Sequence, residues 1–149
     1  MSIFDNPDEF YMREALRLAR LAYDDDEIPV GAVVVCGDTV IARAYNQTER
    51  LSDVTAHAEM LAITAAANAL GAKYLTGCTL YVTLEPCPMC AAAAAWAQLP
   101  RIVYGAADPK RGYSRFSPTL LHPRTEVVQG LLADESEALL KDFFKNKRI

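Results

Sequence analysis

The sequence lacks the features of a membrane or exported protein. No run of apolar residues is long enough to cross a bilayer, so we expect no membrane partner. Residues 1–6 have neither the basic region nor the apolar core of a signal peptide, and we therefore expect a cytoplasmic protein. The 149 residues, 52% of them hydrophobic and 23% charged, suit one domain spanning 1–149 with one core.

An overall positive charge is also missing. The net charge of −4 does not by itself indicate a nucleic-acid-binding protein. The distribution of charge is uneven, however, because residues 101–149 carry 9 basic and 6 acidic side chains. This basic C-terminal third forms either a phosphate-binding face or simply a solvated surface.

Cysteine and histidine are scarce, with four and two residues respectively. Cys36 and Cys78 each adjoin an apolar, strand-like run, where a buried free thiol is the usual role. Cys87 and Cys90 form a Cys-x-x-Cys pair, which in a protein without an export signal indicates metal ligands or a redox pair.

Hydrophobic periodicity and turn signals predict nine elements in the order α-β-β-α-β-α-β-β-α. Asn6 is expected to cap the first helix, and Pro100 to end the third. The acidic run 24–27 is expected to be a solvated turn, and 46–56 and 107–123 to be loops. The alternation of strands and helices predicts an α/β fold with helices on both faces of a mixed five-stranded sheet. The predicted helices are 7–23, 58–70, 88–99 and 135–147, and the predicted strands are 30–36, 39–45, 79–84, 101–105 and 125–129.

Two short motifs fall at predicted helix starts. His57-Ala-Glu59 opens the second helix, and Pro86-Cys-Pro-Met-Cys90 opens the third directly after a strand. Helix N-termini carry partial positive charge, which favours thiolate over thiol. One imidazole and two thiolates suit zinc, and three protein ligands leave one tetrahedral position for water. The motifs together predict a catalytic zinc site at His57, Cys87 and Cys90.

Glu59 lies two residues after the first predicted ligand. A free carboxylate beside a zinc-activated water is what general acid/base catalysis requires, although a first-turn glutamate can also simply complement the helix dipole. Within this set of residues we interpret Glu59 as the proton carrier, and the Glu85-Pro86 turn as a candidate for stabilising developing charge. His122 is the one other histidine that could close the metal site, and we expect it to be a surface or loop residue instead.

The two motifs resemble the zinc deaminase signature of the cytidine deaminase-like superfamily, for which the general pattern is already known. The resemblance extends along nearly the whole chain to the bacterial tRNA-specific adenosine deaminases. The segments that carry it are Pro29–Val33, Asn46, Thr55–Glu59, Thr79–Cys87, Val103–Ala106, Asp108, Leu131–Glu135 and Asp142–Phe144. It implies a three-layer α-β-α cytidine deaminase-like fold, one Zn²⁺ per subunit and a homodimer.

The resemblance also implies a substrate and the residues that bind it. The reaction would be hydrolytic deamination of adenosine to inosine at the wobble position (34) of tRNA, with the anticodon stem-loop as partner. The implied substrate contacts are Asn46, Val30, Ala58, Leu84, Asp108 and Phe144. Val30 and Leu84 are equally well explained as ordinary core residues.

The basic C-terminal third offers RNA contacts if the substrate is a tRNA. Phosphates could bind Lys110, Arg111, Arg115, Lys145, Lys147 and Arg148. Tyr113 and Phe116 either stack on flanking bases or pack over the edge of the domain. The Ala-rich helix around residues 91–97 fits either a subunit interface or tight internal packing.

Several features favour other functions. Pro88 between the cysteines, Trp96 after the alanine run, and the loop 110–116 depart from the tRNA-enzyme pattern. They favour a small-molecule deaminase acting on guanine, cytosine or a nucleoside. A zinc-stabilised interaction module without activity is a third hypothesis, against which the intact Glu59 argues.

Overall fold

A computed structural model describes residues 6–147, which form one five-stranded sheet with helices on both faces. No helix within these residues is long and apolar enough to cross a membrane. The helices are α1 (Pro7–Asp24), α2 (Ala58–Leu70), α3 (Pro88–Trp96), α4 (Tyr113–Phe116) and α5 (Ala133–Lys147), and the strands are β1 (Gly31–Cys36), β2 (Thr39–Tyr45), β3 (Cys78–Leu84), β4 (Arg101–Ala106) and β5 (Glu126–Gln129).

The sheet has the strand order β2-β1-β3-β4-β5 and mixed direction. β1 pairs antiparallel with β2 and with β3, whereas β3, β4 and β5 are parallel. The parallel strands require crossover helices, and α3 supplies the crossover between β3 and β4. The predicted mixed five-stranded sheet is therefore confirmed.

The core is divided by the sheet into two apolar clusters. One lies between the sheet and α1 and includes Met12, Ala15 and Val33. The other lies under α2 and α3 and includes Ala62 and Ala94. Helices therefore cover both faces, and the three-layer arrangement is confirmed.

The predicted helix boundaries hold where capping chemistry defines them. The Asn6 side chain accepts a hydrogen bond from the Glu9 backbone N–H at 3.1 Å, and Pro7 occupies the first turn. α3 ends at Trp96 and not at 99, because Gln98 adopts a left-handed backbone conformation that turns the chain before Pro100.

The prediction of a solvated acidic turn at 24–27 is wrong for its last residue. Glu27 is 1% exposed, and its carboxylate accepts hydrogen bonds from the backbone N–H groups of Glu49 and Arg50 at 3.0 and 2.8 Å. The predicted loop 107–123 also contains α4 and a 3₁₀ turn at Pro118–Leu120. The burial of Glu27 and the position of α4 both depend on long-range hydrogen bonds, which a local sequence pattern does not encode.

Gly31, at the start of β1, allows that strand to lie directly against α1. A Cβ on Gly31 would collide with the carbonyl oxygen of Ala15 and lie 2.6 Å from the backbone nitrogen of Ala19. We predict that Gly31→Ala lowers the free energy of unfolding by about 3 kcal/mol, because a backbone must move to admit the methyl group. Denaturant unfolding monitored by circular dichroism measures this change.

The matched control is Gly77→Ala. A Cβ on Gly77 would have its nearest neighbour, the Cys36 sulfur, at 4.0 Å. We expect this variant to change stability by less than about 0.5 kcal/mol. Equal effects of the two substitutions would contradict the role given to Gly31.

Candidate active site

Two helix N-termini meet at the end of the sheet where β3 terminates. His57 occupies the N-cap position of α2, and Cys87 occupies the N-cap position of α3, three residues after β3 ends at Leu84. Neither cap residue uses its side chain to satisfy its own helix. The imidazole and the thiol are therefore available for another partner, in a region of partial positive charge.

The three predicted ligands lie at the separations that a tetrahedral metal site requires. His57 Nδ1 is 3.6 Å from the Cys87 sulfur and 3.5 Å from the Cys90 sulfur. Ligand bonds of about 2.0 and 2.3 Å at the tetrahedral angle place a nitrogen and a sulfur about 3.5 Å apart. His57, Cys87 and Cys90 are the only cluster among the described residues with metal-ligand geometry, so the donor set fits zinc.

Electrostatics at the two cysteines favours a bound cation. A hydrogen bond from Cys90 lowers the pKa of the Cys87 thiol to about 4, and the same contact raises the pKa of Cys90. The thiolate of Cys87 also raises the pKa of His57. These opposite shifts arise because two adjacent thiols share one proton, and a divalent cation stabilises both as thiolates.

Glu59 lies beside the predicted ligands without joining them. Its side chain is 4% exposed, and burial raises the pKa of its carboxyl to about 7. It is absent from the ligand cluster, although its carboxyl is next to the Cys90 thiol. A buried carboxyl that titrates near neutrality has the properties of a general acid/base group.

No fourth protein ligand closes the site within residues 6–147. His122 is exposed in the loop before β5, and its Nδ1 accepts the Arg124 backbone N–H at 3.0 Å. This confirms the sequence expectation of a loop residue. Three donors with one open position are typical of a catalytic zinc site, because structural sites usually have four protein ligands.

Four of the predicted substrate contacts lie at the same end of the sheet as this cluster. Val30 and Ala58 are buried in one apolar cluster, against which Leu84 packs. Asn46 is also buried, and its backbone N–H donates to the Val30 carbonyl at 3.0 Å. Contact of these four residues with a substrate stays a prediction.

Asp108 and Phe144 lie further out, on a surface groove of about 740 Å³. Phe144 is 44% exposed and borders a second groove beside residues 48–50 as well. Asp108 Oδ1 accepts the backbone N–H groups of Lys110 and Arg111 at 3.2 and 3.0 Å, so this oxygen shapes its own loop. Substrate contact by either residue stays a prediction.

The aromatic residues of the 110–116 loop differ in their exposure. Tyr113 is buried, which supports packing over the domain edge as its role in preference to stacking on a base. Phe116 is 59% exposed, with the Arg115 guanidinium 5.4 Å from its ring centroid. Phe116 therefore remains available for stacking.

The Glu85 carboxylate has a role that becomes visible only in the structure. Glu85 is buried, and its carboxylate faces the 108–114 segment, where it accepts hydrogen bonds from Asp108 and Ser114. Both oxygens of the Glu85 carboxylate are therefore used by this segment and not by the metal ligands. The one signal in the sequence is the position of Glu85, a charged residue between an apolar strand and Pro86.

Comparison with known proteins defines the class first. The family model for the cytidine and deoxycytidylate deaminase zinc-binding region matches residues 5–106, which contain all three predicted ligands and Glu59. The chain therefore belongs to this family of zinc-binding deaminases.

Relatives that match over most of their length narrow the assignment. The tRNA-specific adenosine deaminase of Agrobacterium fabrum is 48% identical over 144 residues, covering 93% of this chain and 95% of the relative. A solved structure from a study of A-to-I editing by tRNA:A34 deaminases has a TM-score of 0.82 at 47% identity, covering 88% of this chain and 99% of that one. A guanine deaminase from Nitrosomonas europaea has a TM-score of 0.81 at 28% identity, covering 91% and 83%. Within the family, the chain groups with the tRNA-specific adenosine deaminases.

The geometry predicts which cysteines bind zinc. We expect Cys90→Ala to lower zinc affinity by more than about 100-fold, since two donors remain where three are needed. Titration against a chromophoric chelator measures the affinity. The matched control is Cys36→Ala, which removes the free thiol at the last residue of β1. This variant should bind zinc like the unmodified protein. Equal zinc loss in both variants would contradict the assignment.

Proposed function

We propose that this protein hydrolytically deaminates adenosine to inosine at the wobble position (34) of a tRNA. The observation that carries the proposal is the joining of a three-donor metal cluster with a buried, unligated carboxyl at Glu59. The similarity to tRNA-specific adenosine deaminases supports the choice of substrate. A tRNA substrate also agrees with the cytoplasmic location expected from the sequence.

His57, Cys87 and Cys90 would hold one Zn²⁺ per subunit. When bound, the ion acts as a Lewis acid and makes water a competent nucleophile near neutral pH. The three ligands are held at two helix N-termini. β3 and the turn that follows it set the position of the cysteine helix. Ala58 and Glu59 directly follow the ligand His57 in the first turn of α2, so the Glu59 carboxyl would lie close to the bound ion.

Glu59 would move the protons of the reaction. Its carboxylate takes a proton from the attacking water and delivers it to N1 of adenine as the C6–O bond forms. A second proton passes from the new C6 hydroxyl through the same carboxyl to the amine, the C6–N bond breaks, and ammonia leaves as the C6 carbonyl forms. The burial of Glu59 suits this cycle because its carboxyl can hold or release a proton near neutrality.

An anticodon loop fits the site because its bases are already largely unpaired. Moving such a base into a pocket costs little unstacking free energy. Lys110, Arg111 and Arg115 are exposed on the segment that follows β4, where they would contact phosphates. Lys145 and Lys147 are exposed at the end of α5, although Lys147 pairs with Asp26, and Arg148 lies outside the described residues.

A homodimer would cover the outer face of α3. This helix has no charged residue, and its Trp96 is 81% exposed. Ala92, Ala93 and Ala95 are only partly buried on the same helix. A charge-free helix is normally covered on all sides, so a second copy of this chain is the partner that we propose. Such an interface would lie next to Cys87 and Cys90.

A small-molecule deaminase is the second candidate. Two observations favour a small-molecule deaminase. A guanine deaminase has the same fold, and this chain has Pro88 between its two cysteine ligands. The two candidates share the metal cluster and Glu59 and differ in what lies around the pocket. Activity on free guanine or cytosine without activity on RNA would therefore select this alternative.

The activity itself is the first test. We predict that zinc-loaded protein converts adenosine 34 of an anticodon stem-loop to inosine, detected by mass spectrometry of the digested RNA. Glu59→Gln should lower kcat by about 100-fold or more while retaining zinc, because the proton carrier is lost and the ligands are not. Glu49→Gln, an exposed glutamate of the loop before α2, is the control and should remain active.

The subunit interface is tested by the oligomeric state. We predict a dimer in sedimentation equilibrium and a shift toward monomer for Trp96→Glu, because a charge at this position opposes apolar contact. Leu70→Glu, at the exposed end of α2, is the matched control and should stay dimeric. A monomeric unmodified protein would contradict the interface.

A further inference from the structure

Glu85 is a buried carboxylate whose partners all belong to one distant segment. Its Oε1 accepts the backbone N–H of Asp108 at 3.1 Å. Its Oε2 accepts both the backbone N–H of Ser114, at 3.1 Å, and the Ser114 hydroxyl, at 2.6 Å. Glu85 is 4% exposed and forms no salt bridge within residues 6–147. Three hydrogen bonds therefore compensate the burial of its charge.

Backbone contacts extend this attachment to both sides of the carboxylate. The Glu85 N–H donates to the Ala106 carbonyl at 2.8 Å, and the Tyr113 N–H donates to the Pro86 carbonyl at 2.9 Å. The segment 106–114 is thus held by the two residues that immediately precede Cys87. Any displacement of this segment must break contacts adjacent to a predicted metal ligand.

Gly112 shows how closely the segment follows the carboxylate. A Cβ on Gly112 would lie 2.5 Å from Glu85 Oε1 and closer still to the other carboxylate atoms. The φ of Gly112 is −64°, which any residue adopts, so the glycine is required by contact and not by backbone conformation. The loop and the carboxylate are complementary in shape.

The outward face of this segment is basic and aromatic. Lys110, Arg111, Arg115 and Phe116 are exposed, and the Asp108 carboxylate is occupied by the N–H groups of Lys110 and Arg111. Phosphates and a base suit this combination of side chains. Since α4 has only four residues, it is too short to hold this arrangement without an anchor.

We propose that Glu85 is a positioning residue for the RNA substrate, holding segment 108–116 so that Lys110, Arg111 and Phe116 meet the anticodon loop beside the active site. The proposal rests on the proposed function. Glu85 acts through the segment and not on the reacting atoms, because the hydrogen bonds of its carboxylate are all with that segment. Its loss is therefore expected to weaken RNA binding and to leave the chemical step intact.

The test compares steady-state kinetics of Glu85→Gln with those of the unmodified enzyme on the same stem-loop. A glutamine presents an N–H₂ group to an N–H donor, so at least one of the three hydrogen bonds is lost. We expect KM to rise by about tenfold and kcat to change by less than about threefold, with zinc content unchanged. Asp38→Asn, which removes an exposed carboxylate from the β1–β2 turn at the opposite end of the sheet, should change neither.

Two further variants keep the test independent of how well Glu85→Gln folds. Ser114→Ala removes one hydrogen bond from an exposed position and should give a smaller rise in KM. Gly112→Ala should raise KM in the native background but add little to Glu85→Ala, because the clash disappears with the carboxylate. Hydrogen exchange at the Asp108 and Ser114 amides should accelerate in parallel with the rise in KM.

Several outcomes would overturn the proposal. A fall in kcat at unchanged KM, or a loss of zinc, would mean that Glu85 acts on the metal site. Faster amide exchange with an unchanged KM would mean that RNA binding does not use the ordered segment. If the unmodified enzyme does not deaminate the stem-loop, the proposed function fails as well. If it is active and Glu85→Gln has an unchanged KM, only the positioning role of Glu85 is contradicted.

Discussion

The approach of two helix N-termini at the end of β3 is the constraint on which the rest of this structure depends. It brings the two thiols to 3.6 and 3.5 Å from one imidazole nitrogen, which belongs to a segment 30 or more residues earlier in the sequence. The positive ends of both helices favour the anionic ligands. The sheet fixes where the cysteine helix begins, because β3 leads directly into α3 and is itself paired with β1.

Two buried glutamates organise the loops around this point. Glu27 holds the backbone of residues 49 and 50, in the loop that leads to His57. Glu85 holds residues 108 and 114, in the loop that follows β4. Each carboxylate accepts backbone N–H groups that a loop would otherwise leave to water. The loops beside the site are therefore ordered by specific acceptors and not by apolar packing alone.

The comparison with other deaminases separates chemistry from recognition. A tRNA adenosine deaminase structure at 47% identity and a guanine deaminase at 28% identity share this fold almost equally well, with TM-scores of 0.82 and 0.81. The sheet and the two ligand helices therefore do not distinguish a base within RNA from a free base. We therefore expect that distinction to depend on the loops, the end of α5 and the surfaces beyond the metal cluster, where residues that anchor loops affect recognition.

Local patterns in the sequence determined the strands, the long helices, their order and the candidate ligands. Periodicity and caps are local, and the short motifs at His57 and Cys87 mark helix starts. Only the tertiary structure showed that Glu27 is buried, that Tyr113 is packed inside and that α3 ends at Trp96. Only there could Glu85 be assigned to the 108–114 segment, because its partners lie more than 20 residues away. A residue's exposure and hydrogen-bond partners depend on which segments the fold brings together, and no local pattern records that.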